Sequence, residues 1–302
     1  MSIAAAAGLD AVLVEAFSDR PCSGNGAAVV RLDEPCSDAW MQRLAGSLKQ
    51  SETAFLLPHS DGWLLRWFTP SCEVALCGHA TLAALIALQH WQLLDASGST
   101  TFQTRSGPLP VRLRDSLGEL TLPSAPLEPE PLPGDLARLL ASQLGCGSDG
   151  FWRSSLGYSV VLLPAQAPLA GLACIARELG SGEAPGLVLM QPLPPGSAAS
   201  VAGHPADYQL RFFAPGLGID EDPVTGSAHA LIAPYWLNRL QRQRVVGWQC
   251  SPRPGGMICE PASSGMIRLS GSGVLLWSGH LHLQPGVCSG AAERWLQQCG
   301  VA

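Results

Sequence analysis

Charge is scarce in this chain of 302 residues: 14% are Asp, Glu, Lys or Arg, and no basic run offsets a formal net charge of −6. That excludes the electrostatic footprint on which nucleic-acid or anionic-membrane binding relies, so neither is expected as a partner. No apolar run reaches the length of a membrane span. The first segment, MSIAAAAGLDAVLVEAF, lacks a basic leader and carries Asp10 and Glu15, so it reads as a strand, and a cytoplasmic location is expected. The 10 cysteines form no CxxC pair and no Cys/His metal spacing, which favours reduced, mostly buried thiols and no metal site. Gly24-Asn25-Gly26 lacks the spacing and the following helix of a phosphate loop, so no nucleotide is expected.

What the chain has in quantity is apolar residue: 47% hydrophobic, enough for two well-buried domains. Its organising stretch is Arg211 to Trp236. A strand leads through a turn bearing Asp220, Glu221 and Asp222 into Thr225-Gly226-Ser227 and an apolar helix. Unpaired N–H groups and the positive dipole end coincide at such a helix start, which suits a carboxylate ligand. An earlier stretch repeats the pattern. Leu65-Arg66-Trp67-Phe68-Thr69-Pro70 parallels Leu210-Arg211-Phe212-Phe213-Ala214-Pro215, and Cys77-Gly78-His79-Ala80 opens a second apolar helix as Thr225-Gly226-Ser227-Ala228 does, with a short insertion in the later turn. A period near half the chain implies two similar domains.

Residues 37–48 have the spacing of an amphipathic helix, with Ser37 or Asp38 as its cap. Thr53–Leu57 is a nearly all-apolar strand with Glu52 at its polar mouth. A carboxylate there is either simply solvated or partly desolvated, with its pKa raised toward a range useful for moving protons. The helix from Gly78 to Leu88 is apolar on every face, hence central and buried, with His79 in its first turn, where the dipole disfavours protonation. Proline-rich 123–134 is the expected crossing between domains. A helix capped by Asp135 and closed by Gly145 follows, then strands, a short helix from Leu172 to Leu179 ended by Gly180, and an exposed loop over 192–207. Pro234 is expected to kink or end its helix. The chain closes with strands through Leu283 and a helix capped by Ser289. The domains expected are 1–122 and 135–283, with 284–302 open to joining the first.

Four ordered motifs carry a family resemblance: Gln50-Ser51-Glu52-Thr53-Ala54-Phe55; Arg66-Trp67-Phe68-Thr69-Pro70 with Glu73-Val74; Leu76-Cys77-Gly78-His79-Ala80-Thr81; and Glu221-Asp222-Pro223-Val224-Thr225-Gly226-Ser227-Ala228-His229. In order and spacing, from about Val14 to about Leu283, they resemble the PhzF-like isomerases of the phenazine-biosynthesis family. The resemblance implies an α+β fold of the diaminopimelate-epimerase type: two pseudo-symmetric domains, each a curved, mainly antiparallel sheet around a central helix, with the active site in the cleft between them. It also implies cofactor-independent proton transfer on a small unsaturated or cyclic carboxylic acid, and a homodimer. Carried over by residue, Glu52 matches the family's acid/base carboxylate, and His79 and Asp222 match the family's hydrogen-bonding partners in the cleft. Gly78, Gly226 and Ser227 match the substrate-carboxylate cradle, and Ser51 a neighbouring contact. One carboxylate acting as base and then acid would need a raised pKa.

The sequence departs from the pattern at Glu15, where Asp is more usual, and at Gly26, where proline is usual. Two other readings stay open. The fold also hosts racemases that use two opposed thiols, for which Cys77 could supply one; a protein retaining the pocket for carboxylate binding without turnover is the other.

Overall fold

The computed structural model describes residues 8–179, 185–263, 265–283 and 290–301. The chain divides into two units, residues 1–22, 26–121 and 271–302 forming one and residues 23–25 and 122–270 the other. The boundary expected at 283 falls at 270/271, because the last strand hydrogen-bonds along the first one. Gly180 and Ser289 lie outside the described residues.

The first unit opens with β1 (Leu9–Ala16) and β2 (Asn25–Arg31), which pair. Helix α1 (Asp38–Leu48) follows, and Ser37 caps it by accepting from the Trp40 N–H. Next come β3 (Glu52–His59), β4 (Gly62–Phe68), a two-residue strand β5 (Glu73–Val74) and helix α2 (Gly78–His90). Strands β6 (Ser99–Thr104), β7 (Gly107–Arg114) and β8 (Leu117–Pro123) complete the run. β2 and β3 are parallel, β3 and β4 antiparallel, β4 and β6 parallel, and β6, β7 and β8 antiparallel, while β5 folds back on the end of β4.

The second unit contains β9 (Leu127–Pro129), helix α3 (Gly134–Leu144), β10 (Gly150–Ser154) and β11 (Tyr158–Leu162). A short helix α4 (Ala176–Leu179) precedes β12 (Gly186–Pro192), the hairpin β13 (Ser200–Val201) and β14 (His204–Pro205), and β15 (Tyr208–Ala214). Then follow β16 (Ile219–Asp222), helix α5 (Gly226–Leu240), β17 (Val245–Gln249), β18 (Gly255–Pro261) and β19 (Met266–Gly271). β11 and β12 are parallel, β12 and β15 antiparallel, β15 and β17 parallel, and β17, β18 and β19 antiparallel, with β16 folded back on β15. This is the pairing scheme of β2 to β8 a second time, and the central helix follows the folded-back strand in both units. Proline-rich 123–134 is not wholly unpaired: β9 runs along β10 at its edge, where proline is tolerated.

The chain then returns to the first unit as β20 (Gly273–Leu281), antiparallel to β1, and α6 (Ala291–Gln298). Trp295 of α6 is fully buried in a cluster with Val30, Leu32, Met41, Phe55 and Phe68, and its indole N–H donates to the Cys36 carbonyl at 2.9 Å.

In the first unit α2 touches β1, β3, β7 and β20, so strands from opposite ends of the sheet reach one helix and the sheet is curved around it. An all-apolar helix is the consequence: residues 79–85 are all buried. Three expectations are corrected. α3 starts at Gly134 with Pro133 as its cap, so Asp135 sits in the first turn instead of capping, where its charge still complements the dipole. Of the two outcomes expected at Pro234 the end is excluded: α5 runs through it, since one missing N–H removes one rung while packing holds the rest. The stretch 192–207 is not simply an exposed loop, because Val201 and Ala206 are buried beneath its hairpin.

Candidate active site

In the first unit, β3 begins at Glu52, paired in register with Ala27 of β2, which places the carboxylate at the strand mouth as the sequence implied. Cys77, extended at φ −146° and ψ 109°, precedes α2 without a side-chain cap bond, and its carbonyl accepts from the Thr81 hydroxyl at 2.6 Å. The turn brings three groups together. Glu52 Oε2 lies 2.9 Å from His79 Nε2, and Cys77 Sγ lies 3.5 Å from His79 Nδ1 and 3.9 Å from Nε2. Cys77 and His79 are buried, and the Glu52 side chain is 16% exposed. Although Oε2 is at ion-pair distance, it is buried and makes no hydrogen bond of good geometry.

The electrostatics differ from expectation. Burial alone pushes the Glu52 carboxyl up, but the facing His79 charge and the polar contacts of His79 and Cys77 outweigh it and hold it below its ordinary range. For His79, burial disfavours the charge, yet the Cys77 sulfur and Glu52 carboxylate at its ring nitrogens push the imidazole well up. Burial pushes the Cys77 thiol to about 11. These directions favour the charged forms of Glu52 and His79 facing each other, beside a protonated Cys77 thiol. The raised Glu52 pKa expected from a desolvated strand mouth is absent because a cation fills that mouth.

In the second unit, Asp222 ends β16 and is buried. Its Oδ1 accepts from Asn25 Nδ2 at 2.6 Å and its Oδ2 from the Thr225 hydroxyl at 2.6 Å. The buried Gln249 side chain donates to the Asp222 carbonyl at 2.5 Å and accepts from the Thr225 N–H at 2.8 Å, so one amide staples the turn that launches α5. Ser227 meets the Tyr158 hydroxyl at 3.2 Å, and burial raises that phenol. Gly78 and Gly226 are the first residues of α2 and α5, and Ser51, exposed, precedes Glu52.

Each turn is braced by a buried arginine. Arg66 donates to both Glu73 oxygens at 2.7 and 2.8 Å and to Asp38 at 2.8 Å; Arg211 donates to both Glu221 oxygens at 2.7 and 2.6 Å and to the carbonyl of Leu172. The registers coincide: Trp67 pairs with Val74 and Phe68 with Glu73, as Phe212 pairs with Asp222 and Phe213 with Glu221. Asp222 therefore holds the place of Val74, Thr225 that of Cys77 and Ser227 that of His79.

Glu52 and His79 are thus joined within the first unit, as are Asp222, Thr225 and Ser227's neighbourhood within the second. Sequence reasoning missed Asn25, Gln249 and Tyr158. Asn25 follows a glycine at the start of β2, in a stretch whose composition suggests a turn and not a ligand, and nothing in a strand-end glutamine marks it out.

Two units repeating one pairing scheme around central helices define an α+β fold of the epimerase type. The fold is shared with a hydroxyproline epimerase from Agrobacterium vitis, at TM-score 0.61 and 12% identity over 93% of this chain and 94% of that one. The profile of the phenazine biosynthesis-like proteins matches residues 14–126 and 191–279. An uncharacterized isomerase of Pseudomonas aeruginosa is 38% identical over 277 residues, covering 89% of this chain and 97% of that protein. The crystal structure of a PhzF-family phenazine biosynthesis protein from Enterococcus faecalis matches with TM-score 0.81 and 30% identity, covering 91% of this chain and 100% of that one. The chain belongs to the phenazine biosynthesis-like, or PhzF, family. No helix among the described residues is long and apolar enough to cross a membrane.

Proposed function

We propose that this chain is a cofactor-independent isomerase that moves a proton within a small unsaturated or cyclic carboxylic acid, with Glu52 as the acid/base. The observation that carries the reading is the Glu52 carboxylate, whose buried Oε2 lacks a hydrogen bond and faces His79 at a helix start. An ionised carboxylate is ready to accept a proton from carbon. His79 holds it in place and, as an imidazolium, stabilises negative charge developing on the substrate. In each unit by itself the N–H groups opening the central helix, α2 at Gly78 and α5 at Gly226 with the Ser227 hydroxyl, suit a carboxylate, and the family resemblance assigns Ser51 a neighbouring contact and Asp222 a hydrogen-bonding role. When substrate enters and excludes water, the Glu52 pKa would climb, which the return of the proton requires.

Two-thiol racemisation is the weaker reading. The place equivalent to Cys77 is held by Thr225, whose hydroxyl is engaged by Asp222, and the Cys77 thiol is pushed to about 11. A non-catalytic carboxylate binder would need no poised base.

The test is solvent deuterium uptake, followed by NMR, into a panel of unsaturated cyclic and amino-acid-like carboxylates. Glu52→Gln is isosteric, so folding and carboxylate binding should persist while exchange falls by about 10²- to 10⁴-fold. Full exchange by the variant would remove Glu52 from this role, and binding without exchange by the wild type would favour the binder. The family resemblance also leads us to propose a homodimer, which a monomer mass by light scattering would overturn.

A further inference from the structure

Among the described residues, Glu52, Cys77 and His79 form a group of three potential ligands whose donor atoms all lie within 4.8 Å of one another. The donors are a carboxylate oxygen, a sulfur and an imidazole nitrogen, one from each side chain. A tetrahedral zinc ion, with bonds of about 2.0–2.1 Å to oxygen and nitrogen and about 2.3 Å to sulfur, holds such donors about 3.3–3.6 Å apart. Here Oε2 and Nε2 are 2.9 Å apart, and Sγ and Nε2 are 3.9 Å apart. Small rotamer adjustments, closing one gap and opening the other by about half an ångström, bring these two pairs to ligand spacing, and Sγ and Oε2 already lie within 4.8 Å. A second feature points the same way: beyond its 2.9 Å approach to His79 Nε2, the buried Oε2 has no hydrogen-bond partner.

We propose that Glu52, Cys77 and His79 form a binding site for a thiophilic divalent cation of the zinc class, and that its occupancy switches off proton transfer. The donor chemistry selects the ion. Sulfur and imidazole favour Zn²⁺ and Co²⁺ over Mg²⁺ and Ca²⁺, which prefer all-oxygen sets. Three protein ligands leave a fourth position for solvent or a substrate oxygen. A bound cation uses the Oε2 lone pair that would take the proton from carbon and the Nε2 that faces it, so cation and proton shuttle exclude each other. The inhibitory half of the proposal rests on the proton-transfer reading above; the binding half does not.

Co²⁺ is the probe, added to the full-length protein under reducing conditions without oxygen. The expected result is one equivalent bound, with a thiolate-to-cobalt charge-transfer band in the near ultraviolet and intense tetrahedral d–d bands, both displaced by Zn²⁺. Cys77→Ser should abolish the charge-transfer band, and His79→Gln should weaken binding by more than about tenfold. Among the described residues the exposed Cys22, Cys72 and Cys174 are competing sources of thiolate, and bands that survive both substitutions would overturn the site. Absence of the bands at millimolar Co²⁺ would overturn it equally. On any carboxylate that undergoes exchange, stoichiometric Zn²⁺ should suppress deuterium uptake and EDTA restore it. Undiminished uptake by the zinc-loaded protein would refute the switch even if binding stands. Failure of every carboxylate to exchange would count against the acid/base function while the cobalt spectra still decided the site.

Discussion

Asp222 and Glu52 illustrate two ways of holding a buried carboxylate. Glu52 is balanced by a cation, whereas Asp222 is held by the neutral donors Asn25 and Thr225. Neutral donors fix direction as well as charge, because each oxygen is assigned one partner. Replacing Asp222 by Asn makes one of those atoms a donor. The Asn25 amide can still be satisfied by the remaining oxygen, but the Thr225 hydroxyl loses its acceptor. The expected result is a loss of stability of about 1–3 kcal/mol by urea unfolding, together with slower turnover in the deuterium assay. Full activity at unchanged stability would make Asp222 incidental. Gln249→Leu isolates the staple: it deprives a buried N–H and a buried carbonyl of their partner at once, so it should destabilise more than Asp222→Asn in the same measurement.

At the scale of elements, the two arginine braces explain why short strands β5 and β16 persist. Strands of two and four residues have too few ladder bonds to hold themselves, and the bidentate Arg66–Glu73 and Arg211–Glu221 pairs supply the anchor. Glu221→Ala leaves Arg211 buried with only carbonyl partners, and a loss of about 3–5 kcal/mol in denaturant unfolding is expected. Helix α5 carries a different vulnerability. His229 is fully buried with Nδ1 at 2.9 Å from the Tyr208 hydroxyl, and Nε2 has no hydrogen-bond partner. Burial lowers its pKa to about 3. Facing it are Tyr208 of β15 and, beyond that hydroxyl, Cys259 of β18, pushed well up and to about 12, so neither offers a countercharge. Gly247 of β17 packs on that same side, where any Cβ would collide with Nδ1 and the Tyr208 hydroxyl. Because the unfolded chain binds a proton below its ordinary pKa of 6.5 and the folded one does not, this contribution is intact above that value. It falls by about 1.4 kcal/mol per pH unit as pH drops toward 3. Urea unfolding at pH 7 and pH 5 should show a smaller loss for His229→Gln than for wild type, and equal losses would mean His229 is not the group responsible.

For the whole molecule, the repeat was legible because arginine, aromatic residues and proline recur before a small-residue helix start, and the registers of β4/β5 and β15/β16 bear that alignment out residue for residue. Glu52 at its strand mouth and the all-apolar α2 were legible for the same reason: period and composition alone carry them. Charge state was not, since the sequence shows a carboxylate's burial but not the imidazole that would fill its mouth. Partner choice was not legible either. The strand Gly273–Leu281 has no residue that names β1 as its neighbour, and so its unit was misassigned. That assignment predicts the outcome of truncation. Deleting residues 271–302 strips one of its two partners from β1 and Trp295 from the core cluster, so the first unit should expose apolar surface and bind a hydrophobic dye, while 122–270 retains its own core. Synthesis is vectorial, and here order matters. Residues 122–270 are complete in tertiary partners, apart from 23–25, before the last 32 residues of this sequence emerge from the ribosome. The unit begun first is therefore the one finished last, and its half-built sheet must wait, open along β1, through the making of the other.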